Sequence, residues 1–283
     1  GANDDASGTA AALEACRVLS GMEFDHTLVF VAFDAEEAGL YGARAHVAGL
    51  AGGARVRAGR PPASVGAPPS PAGQLGSSGL ERLRREGALG DSSSRQLARF
   101  VCDAAETVGT RVRPTMVWRA DRFLRGGDHT PFHEAGFAAV RFTEVDEDYS
   151  RQHQDVRIEN GVQYGDLPEF VDERYLADVT RLNVAAAVLL ADGPGTPGSA
   201  RLVTAELSNN TTVRWSAAAD PDVAGYEVVW RETTSAAWQG ARDVGMALEA
   251  RLPLSKDRYF FGVRAYDREG NRGLVGFALA ARE

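Results

Sequence analysis

The sequence of 283 residues predicts an α/β domain followed by an all-β sandwich. Two patterns predict this arrangement. Up to about residue 191, strand-like apolar runs alternate with helix-like periodicity, which is typical of α/β domains. After a Gly-, Pro- and Ser-rich stretch, the chain changes to short alternating segments separated by turn residues, which is typical of a sandwich. We therefore predict a first domain at 1–191, a linker at 192–199 and a second domain at 200–283.

Composition and net charge limit the kinds of partner that this chain can bind. The formal net charge is -8, and the sequence contains no basic run and no apolar run long enough to span a bilayer. These features argue against nucleic acid or an anionic membrane as a partner, and they favour a site that holds cations. The two cysteines, Cys16 and Cys102, are too far apart to indicate a metal motif or a dense disulfide framework. The chain opens at Gly1, inside what looks like a motif, so we expect a fragment or a processed product.

The first elements place acidic residues beside a helix and after a strand. The segment GANDDASG at 1–8 precedes an Ala- and Leu-rich helical pattern that runs to Leu19. Asp4 and Asp5 thus lie just before a helix N-terminus, where carboxylates interact favourably with the helix dipole.

The stretch TLVFVAFDAEEAGLYG at 27–42 is the centre of the functional prediction. Its apolar part, 27–33, predicts a strand buried on both faces, and strand ends are where α/β sheets position ligands. Glu36 and Glu37 could not face one site from a regular strand, because side chains alternate. They can do so if the chain turns at Gly39 toward the helix predicted up to about residue 50.

The segment 51–85 is rich in Gly, Pro, Ala, Ser and Arg, and its composition predicts a loosely ordered or disordered insert. The pattern after it predicts a helix at 93–108, a short strand near 114–118, a Gly-rich loop, a strand at 137–142, a polar loop and a helix at 172–191. Among the histidines outside the candidate site, we expect His26 and His46 at the surface, and His133 to be structural or solvent-exposed.

Four segments, in order, resemble the M28 family of zinc aminopeptidases: GANDDASG, AEEAGLYG, GGDHTPFHEAGFAAVRF and RQHQD. The resemblance covers nearly all of 1–191 and implies a mixed central sheet flanked by helices. The C-terminal part resembles a fibronectin type III module, in TVRWSAAADPDVAGYEVVWR and YFFGVRAYDREGNRG. Such a module is a candidate surface for contact with another protein.

The resemblance implies roles for individual residues. Asp4 matches the carboxylate that bridges two zinc ions, Glu37 and His153 match ligands of one zinc ion, and Glu36 matches the general base. This set also meets the chemical requirement of a catalytic zinc site, which has three protein ligands and an open position. Asp128 and His129 match a loop beside the site in this family. The resemblance implies that they support the site or contact the substrate.

The sequence also departs from the family pattern. A second zinc ion would need a histidine from an upstream strand and an aspartate that should fall within 51–85, where no acid occurs before Glu81. We therefore expect at most one tightly bound zinc ion, and poor or no activity for this chain. The segment 51–85 is either a genuine insert or the product of a damaged, locally frame-shifted reading of the DNA sequence.

The resulting functional prediction is a zinc metallo-exopeptidase, in the first instance an aminopeptidase that hydrolyses N-terminal residues of peptides, located outside the cytoplasm in an extracellular or periplasmic space. Two alternatives remain open. One is a carboxypeptidase of the same fold. The other is a catalytically impaired scaffold that acts as a binding module through its β-sandwich.

Overall fold

The computed structural model describes residues 1–52, 64–66, 92–117, 126–144, 146–205 and 207–280. The helices in this part of the chain are α1 (Gly8–Leu19), α2 (Tyr41–Gly52), α3 (Ser93–Thr107), α4 (His129–Glu134) and α5 (Glu173–Asp192). The strands are β1 (Ser64–Gly66), β2 (Ala139–Arg141), β3 (Arg157–Glu159), β4 (Val162–Tyr164), β5 (Gly198–Leu202), β6 (Thr211–Ser216), β7 (Val223–Glu232), β8 (Gly240–Asp243), β9 (Glu249–Leu252), β10 (Tyr259–Asp267), β11 (Gly276–Phe277) and β12 (Leu279–Ala280). No helix among the described residues is both long enough and apolar enough to cross a bilayer.

The two long helices α3 and α5 form the core of the first part. Both begin at capping residues: the Ser92 hydroxyl accepts a hydrogen bond from the Arg95 amide, and the Asp172 carboxylate caps α5. Their facing apolar residues are buried together, and they are Val101, Ala104, Ala105, Leu182 and Ala186. The predictions of helices at 93–108 and 172–191 are confirmed, because their apolar periodicity of 3.6 is a local property of the sequence.

Two small sheets are described in the first part: a parallel pair formed by β1 and β2, and an antiparallel hairpin formed by β3 and β4. Parallel pairing beside packed helices confirms the α/β class. The prediction of a buried strand at 27–33 is wrong for the described part of the chain, since these residues form no ladder there and Val29 is 71% exposed. A strand exists only through hydrogen bonds to a partner, and none of the described segments pairs with this one. Residues 112–117 are likewise irregular where a short strand was predicted.

The segment 51–85, interpreted above as an insert or a damaged reading, lies outside the described residues except for 51–52 and 64–66.

The C-terminal part confirms the predicted all-β sandwich. One sheet has the strand order β11-β10-β7-β8 and the other β12-β5-β6-β9. The inward-facing residues of both sheets share one core, which includes Trp215 of β6, Tyr226 and Val228 of β7, and Phe261 and Val263 of β10. Along β6 and β9, every second side chain is buried in this core and the side chains between them are more exposed.

The first part and the sandwich are in direct contact. The ring of His26 connects them: Nδ1 lies 2.9 Å from the Ala191 carbonyl and Nε2 lies 3.0 Å from Asp220 Oδ1. Leu274 of the sandwich part is buried with Leu97 and Leu190. The expectation that His26 is a surface residue is wrong, because its partners come from positions more than 160 residues away and no local pattern reveals them.

Candidate metal centre

Asp4 lies in an irregular helical turn, Ala2–Ser7, that precedes α1. The backbone leaves helical geometry at Asp4 (φ -112°, ψ 92°) and Asp5 (φ -131°, ψ 33°), and the peptide bond between them is cis. The Gly8 amide donates to Asp5 Oδ1 over 3.2 Å, so the Asp5 carboxylate accepts from the first residue of α1. Asp4 has different partners, since its Oδ2 accepts a hydrogen bond from Gln152 Nε2 at 3.2 Å.

Glu36 and Glu37 lie in a turn rather than in a strand. The amides of Gly39 and Leu40 both donate to the Glu36 carbonyl, each over 2.9 Å, and Gly39 has a φ of 124° that favours glycine. This confirms the prediction that the chain turns at Gly39. Two consecutive carboxylates can therefore lie near one site.

The turn is closed by a close approach of two backbone segments. The Gly42 amide donates to the Asp34 carbonyl over 3.0 Å, and a Cβ atom on Gly42 would lie 2.5 Å from that oxygen. Only glycine fits this position without displacing the backbone. Gly42 therefore holds the segment that carries both glutamates against the start of α2.

Asp4, Glu37 and His153 come together from three separate parts of the chain. His153 Nε2 lies 2.9 Å from Asp4 Oδ2 and 3.6 Å from Glu37 Oε1, and one potential ligand atom from each residue lies within 4.8 Å of the others. Asp4 is largely buried, with its side chain 10% exposed, while His153 is 37% and Glu37 62% exposed. The cluster is thus open to solvent on one side.

The donor set fits a zinc ion. Donors that share one tetrahedral zinc ion at about 2.0 Å lie about 3.3 Å apart, and the three atoms need only small movements to reach that spacing. One imidazole nitrogen and two carboxylate oxygens are also the ligand types that catalytic zinc sites use. The assignment of these three residues as ligands stays a prediction.

Further carboxylates lie near Asp5, which follows Asp4 in the chain. The pKa of Asp5 is raised to about 7, first by burial and then by the neighbouring Asp4, with smaller contributions from Asp128 and Glu36. Burial also raises the pKa of Asp128. Asp128 and Glu36 are thus both within electrostatic range of Asp5, and the mutual repulsion of these acids favours a proton or a cation at this position.

His129 has a different environment from Asp128. The pKa of its imidazole is lowered to about 3, first by burial and then by the nearby Arg141 and His133. Its Nδ1 atom is shielded from solvent and makes no hydrogen bond within the described part of the chain. His129 is therefore neutral at neutral pH, and its predicted support or substrate contact stays a prediction.

The remaining histidines of the first part support the packing. The ring of His46 contacts Phe33 edge-on and Phe132 at a tilt, with ring centroids 5.4 and 5.9 Å away, so His46 is half-buried and packs against aromatic residues instead of lying free at the surface as expected. His133 Nδ1 lies 2.9 Å from the Ser94 hydroxyl, which confirms a structural role.

Sequence reasoning missed two residues beside Asp4. Asp5 was interpreted only as a partner of the helix dipole, although an adjacent pair of aspartates could have indicated a second acid at the site. No motif or periodicity in the sequence marks Asp166, whose carboxylate accepts hydrogen bonds from the amides of Asn3 and Asp4.

Comparison with known proteins places the first part of the chain in a family. A sequence model of peptidase family M28 matches residues 1–164. A probable zinc metalloprotease of Leptosphaeria maculans is 41% identical over 287 residues, which cover 94% of this chain and 65% of that protein. Probable zinc metalloproteases of Pyrenophora teres f. teres and Pyricularia oryzae are 40% and 39% identical, covering 99% and 95% of this chain but 62% and 58% of theirs. The chain thus spans roughly three fifths of the length of these curated relatives.

Among solved structures, a Fn3-like protein from Clostridium thermocellum matches with a TM-score of 0.28 and 18% identity, covering 32% of this chain and 98% of that protein.

Proposed function

The chain belongs to peptidase family M28, and on this premise we propose that it is a zinc-dependent exopeptidase that removes N-terminal residues from peptides. The observation that carries the proposal is the convergence of Asp4, Glu37 and His153, with Glu36 adjacent in the same turn. Relatives that are named probable zinc metalloproteases support zinc as the cofactor. We propose one zinc ion, held by these three side chains.

When bound, zinc supplies Lewis acidity, which polarises the scissile carbonyl and lowers the pKa of a coordinated water toward about 7. The protein supplies the remaining functions. Asp4 is mostly buried and hydrogen-bonded, and so it provides the fixed side of the site. The exposed side, formed by Glu37 and His153, leaves access for a peptide end.

Glu36 is the proposed general base. Glu36 lies in the same turn as its direct neighbour Glu37, and the Oε1 atom of Glu36 is shielded from solvent. A carboxylate beside the ligand set accepts the proton that the attacking water releases and passes it to the leaving amine. Such proton transfer contributes roughly 10²–10⁴-fold to rate in enzymes generally.

The charge of the site favours an amino terminus over a carboxyl terminus as the recognised end. Asp4, Asp128 and Glu36 all lie within electrostatic range of Asp5. The ionised carboxylates of this group attract an α-ammonium group and repel an α-carboxylate. This supports the aminopeptidase over the carboxypeptidase of the same fold.

The division into a peptidase domain at 1–191, a linker at 192–199 and a fibronectin type III-like domain at 200–283 is also part of the proposal. In this division the sandwich serves as an accessory domain that contacts another protein or a surface.

The test combines metal content with turnover. Zinc per chain is measured by atomic emission after exhaustive dialysis, and hydrolysis is followed with amino-acid amides, N-acetylated amides and peptides that carry only a free C-terminus. We expect one zinc ion per chain and slow hydrolysis, restricted to unblocked N-termini, because a second zinc ion lacks two of its ligands. Glu36→Gln retains the zinc ion and loses turnover by about 10²-fold or more. The exposed Glu23→Gln, which removes the same charge, serves as the control.

Other outcomes discriminate between the alternatives. Two tightly bound zinc ions per chain contradict the one-zinc site. Hydrolysis only from free C-termini supports the carboxypeptidase. A chain that binds no zinc supports the non-catalytic scaffold.

A further inference from the structure

We propose that Asp166 is a positioning residue for the zinc ligand Asp4. This inference rests on the zinc site proposed above and adds to it a residue outside the four motifs. Its basis is a carboxylate that holds the backbone of the Asp4 turn, although 162 positions separate the two residues.

The contacts are short and use both oxygens of the carboxylate. The Asn3 amide donates to Asp166 Oδ1 at 2.9 Å and to Oδ2 at 3.0 Å, and the Asp4 amide donates to Oδ2 at 2.7 Å. The Ala2 amide adds a hydrogen bond of 3.2 Å to the Asp166 carbonyl. The side chain of Asp166 is only 11% exposed, so water has little access to this carboxylate.

The chemistry of the position requires an ionised acid. Amides in the first turn of a helical segment have no partner within the helix, and a carboxylate accepts from two of them at once. An asparagine offers one acceptor oxygen, and its NH2 group would face the other donors. Asp166 is thus matched in charge and geometry to the turn that carries Asp4.

Asp166 and His153 belong to one folded segment. The hairpin of β3 and β4 connects them, and Gly165, with a φ of 111°, lets the chain close against Val156. A Cβ atom on Gly165 would lie 2.9 Å from Val156 Cγ2. The segment therefore approaches Asp4 at two points: His153 contacts its carboxylate, and Asp166 holds its backbone.

The consequence concerns the distance between two zinc ligands. As long as Asp166 holds the Asn3–Asp4 backbone, the Asp4 carboxylate stays within reach of His153. Partners that orient a metal ligand typically change metal affinity about 10- to 100-fold when they are removed. We expect a loss of this size for Asp166→Asn.

The experiment uses the full chain with Asp166→Asn and a control, Glu169→Gln, which removes the same charge from an exposed carboxylate three residues away. Zinc affinity is measured by competition with a chromophoric chelator, and ligand geometry by the visible absorption of the Co²⁺-substituted protein. Amide hydrogen exchange at Asn3 and Asp4 is measured by NMR in the zinc-free protein. We expect Asp166→Asn to bind zinc about 10- to 100-fold more weakly, with an altered cobalt spectrum and faster exchange at both amides. Glu169→Gln should match the unmodified chain in all three measurements.

Asp166→Glu serves as a second variant in case Asp166→Asn does not fold. It keeps the charge and displaces the carboxylate by one methylene group, so it should fold and bind zinc more weakly than Glu169→Gln does. Unchanged zinc affinity and an unchanged cobalt spectrum in the folded Asp166 variants would overturn this inference and leave the proposed zinc site intact. An unmodified chain that binds no zinc would overturn both, and the zinc titration of that chain separates the two cases.

Discussion

Acid should destabilise this protein through His129. The imidazole is shielded at Nδ1 and faces the positive Arg141 and the titratable His133, while Asp128 precedes it in the chain. Its pKa of about 3 in the folded protein lies well below the ordinary value of 6.5. The unfolded chain therefore binds a proton at this residue that the folded protein rejects, and folding stability falls as pH decreases from about 6.5 toward 3.

The size of the effect follows from the same values. One pKa unit corresponds to about 1.4 kcal/mol, so the gap between 6.5 and about 3 corresponds to roughly 5 kcal/mol at most. His129 is not fully buried, and this exposure reduces the figure. A change of a few kcal/mol is a large share of the stability of an ordinary domain.

Asp5 makes folding stability depend on pH in the opposite direction. Its pKa is raised to about 7, so the folded protein holds this proton more tightly than the unfolded chain does. The stabilisation from Asp5 is fully present below about pH 4 and is lost as pH rises toward 7. In the zinc-free protein the two residues therefore partly cancel, and only variants separate them.

The assay is urea unfolding of the zinc-free chain at several pH values from 4 to 7, for the unmodified protein, His129→Gln and Asp5→Asn. Relative to His129→Gln, the unmodified chain should gain free energy of unfolding as pH rises, levelling off above about 6.5. Relative to Asp5→Asn, it should lose free energy of unfolding over the same interval. A pH-independent difference between the unmodified chain and His129→Gln would refute the reasoning about the buried imidazole.

Two further predictions concern packing contacts. Gly42→Ala should lower both the free energy of unfolding and zinc affinity, because its Cβ would meet the Asp34 carbonyl at 2.5 Å; Gly49→Ala, in the same helix with open space around it, should instead stabilise by about 0.5–1 kcal/mol. Equal effects of the two substitutions in thermal unfolding and zinc titration would contradict the role of Gly42 in the turn. A double-mutant cycle with His26→Gln and Asp220→Asn should give a coupling energy of about 1 kcal/mol, since the pair lies 3.0 Å apart and half-buried. Additive effects in that cycle would show that the contact contributes nothing to stability.

Local periodicity in the sequence determined much of the fold. The helices α3 and α5 follow from apolar residues that repeat every 3.6 positions, and the strand β6 from residues that repeat every 2 positions; each such pattern is complete within one segment. The turn at Gly39 was also predictable, because two adjacent glutamates and a glycine constrain the same few dihedral angles. The motifs further indicated Asp4, Glu36, Glu37 and His153 as the candidate set.

Contacts between distant segments were decided only in the tertiary structure. Asp4 and His153 are in contact although they are 149 residues apart in the sequence. Asp166 binds the backbone of Asp4 across a separation of 162 residues. His26 finds Asp220 across 194 positions. The segment 27–33 shows the same limit from the other side: its apolar composition satisfies every local requirement of a strand, yet a strand also needs a partner, and the identity of a partner is not a property of the segment itself.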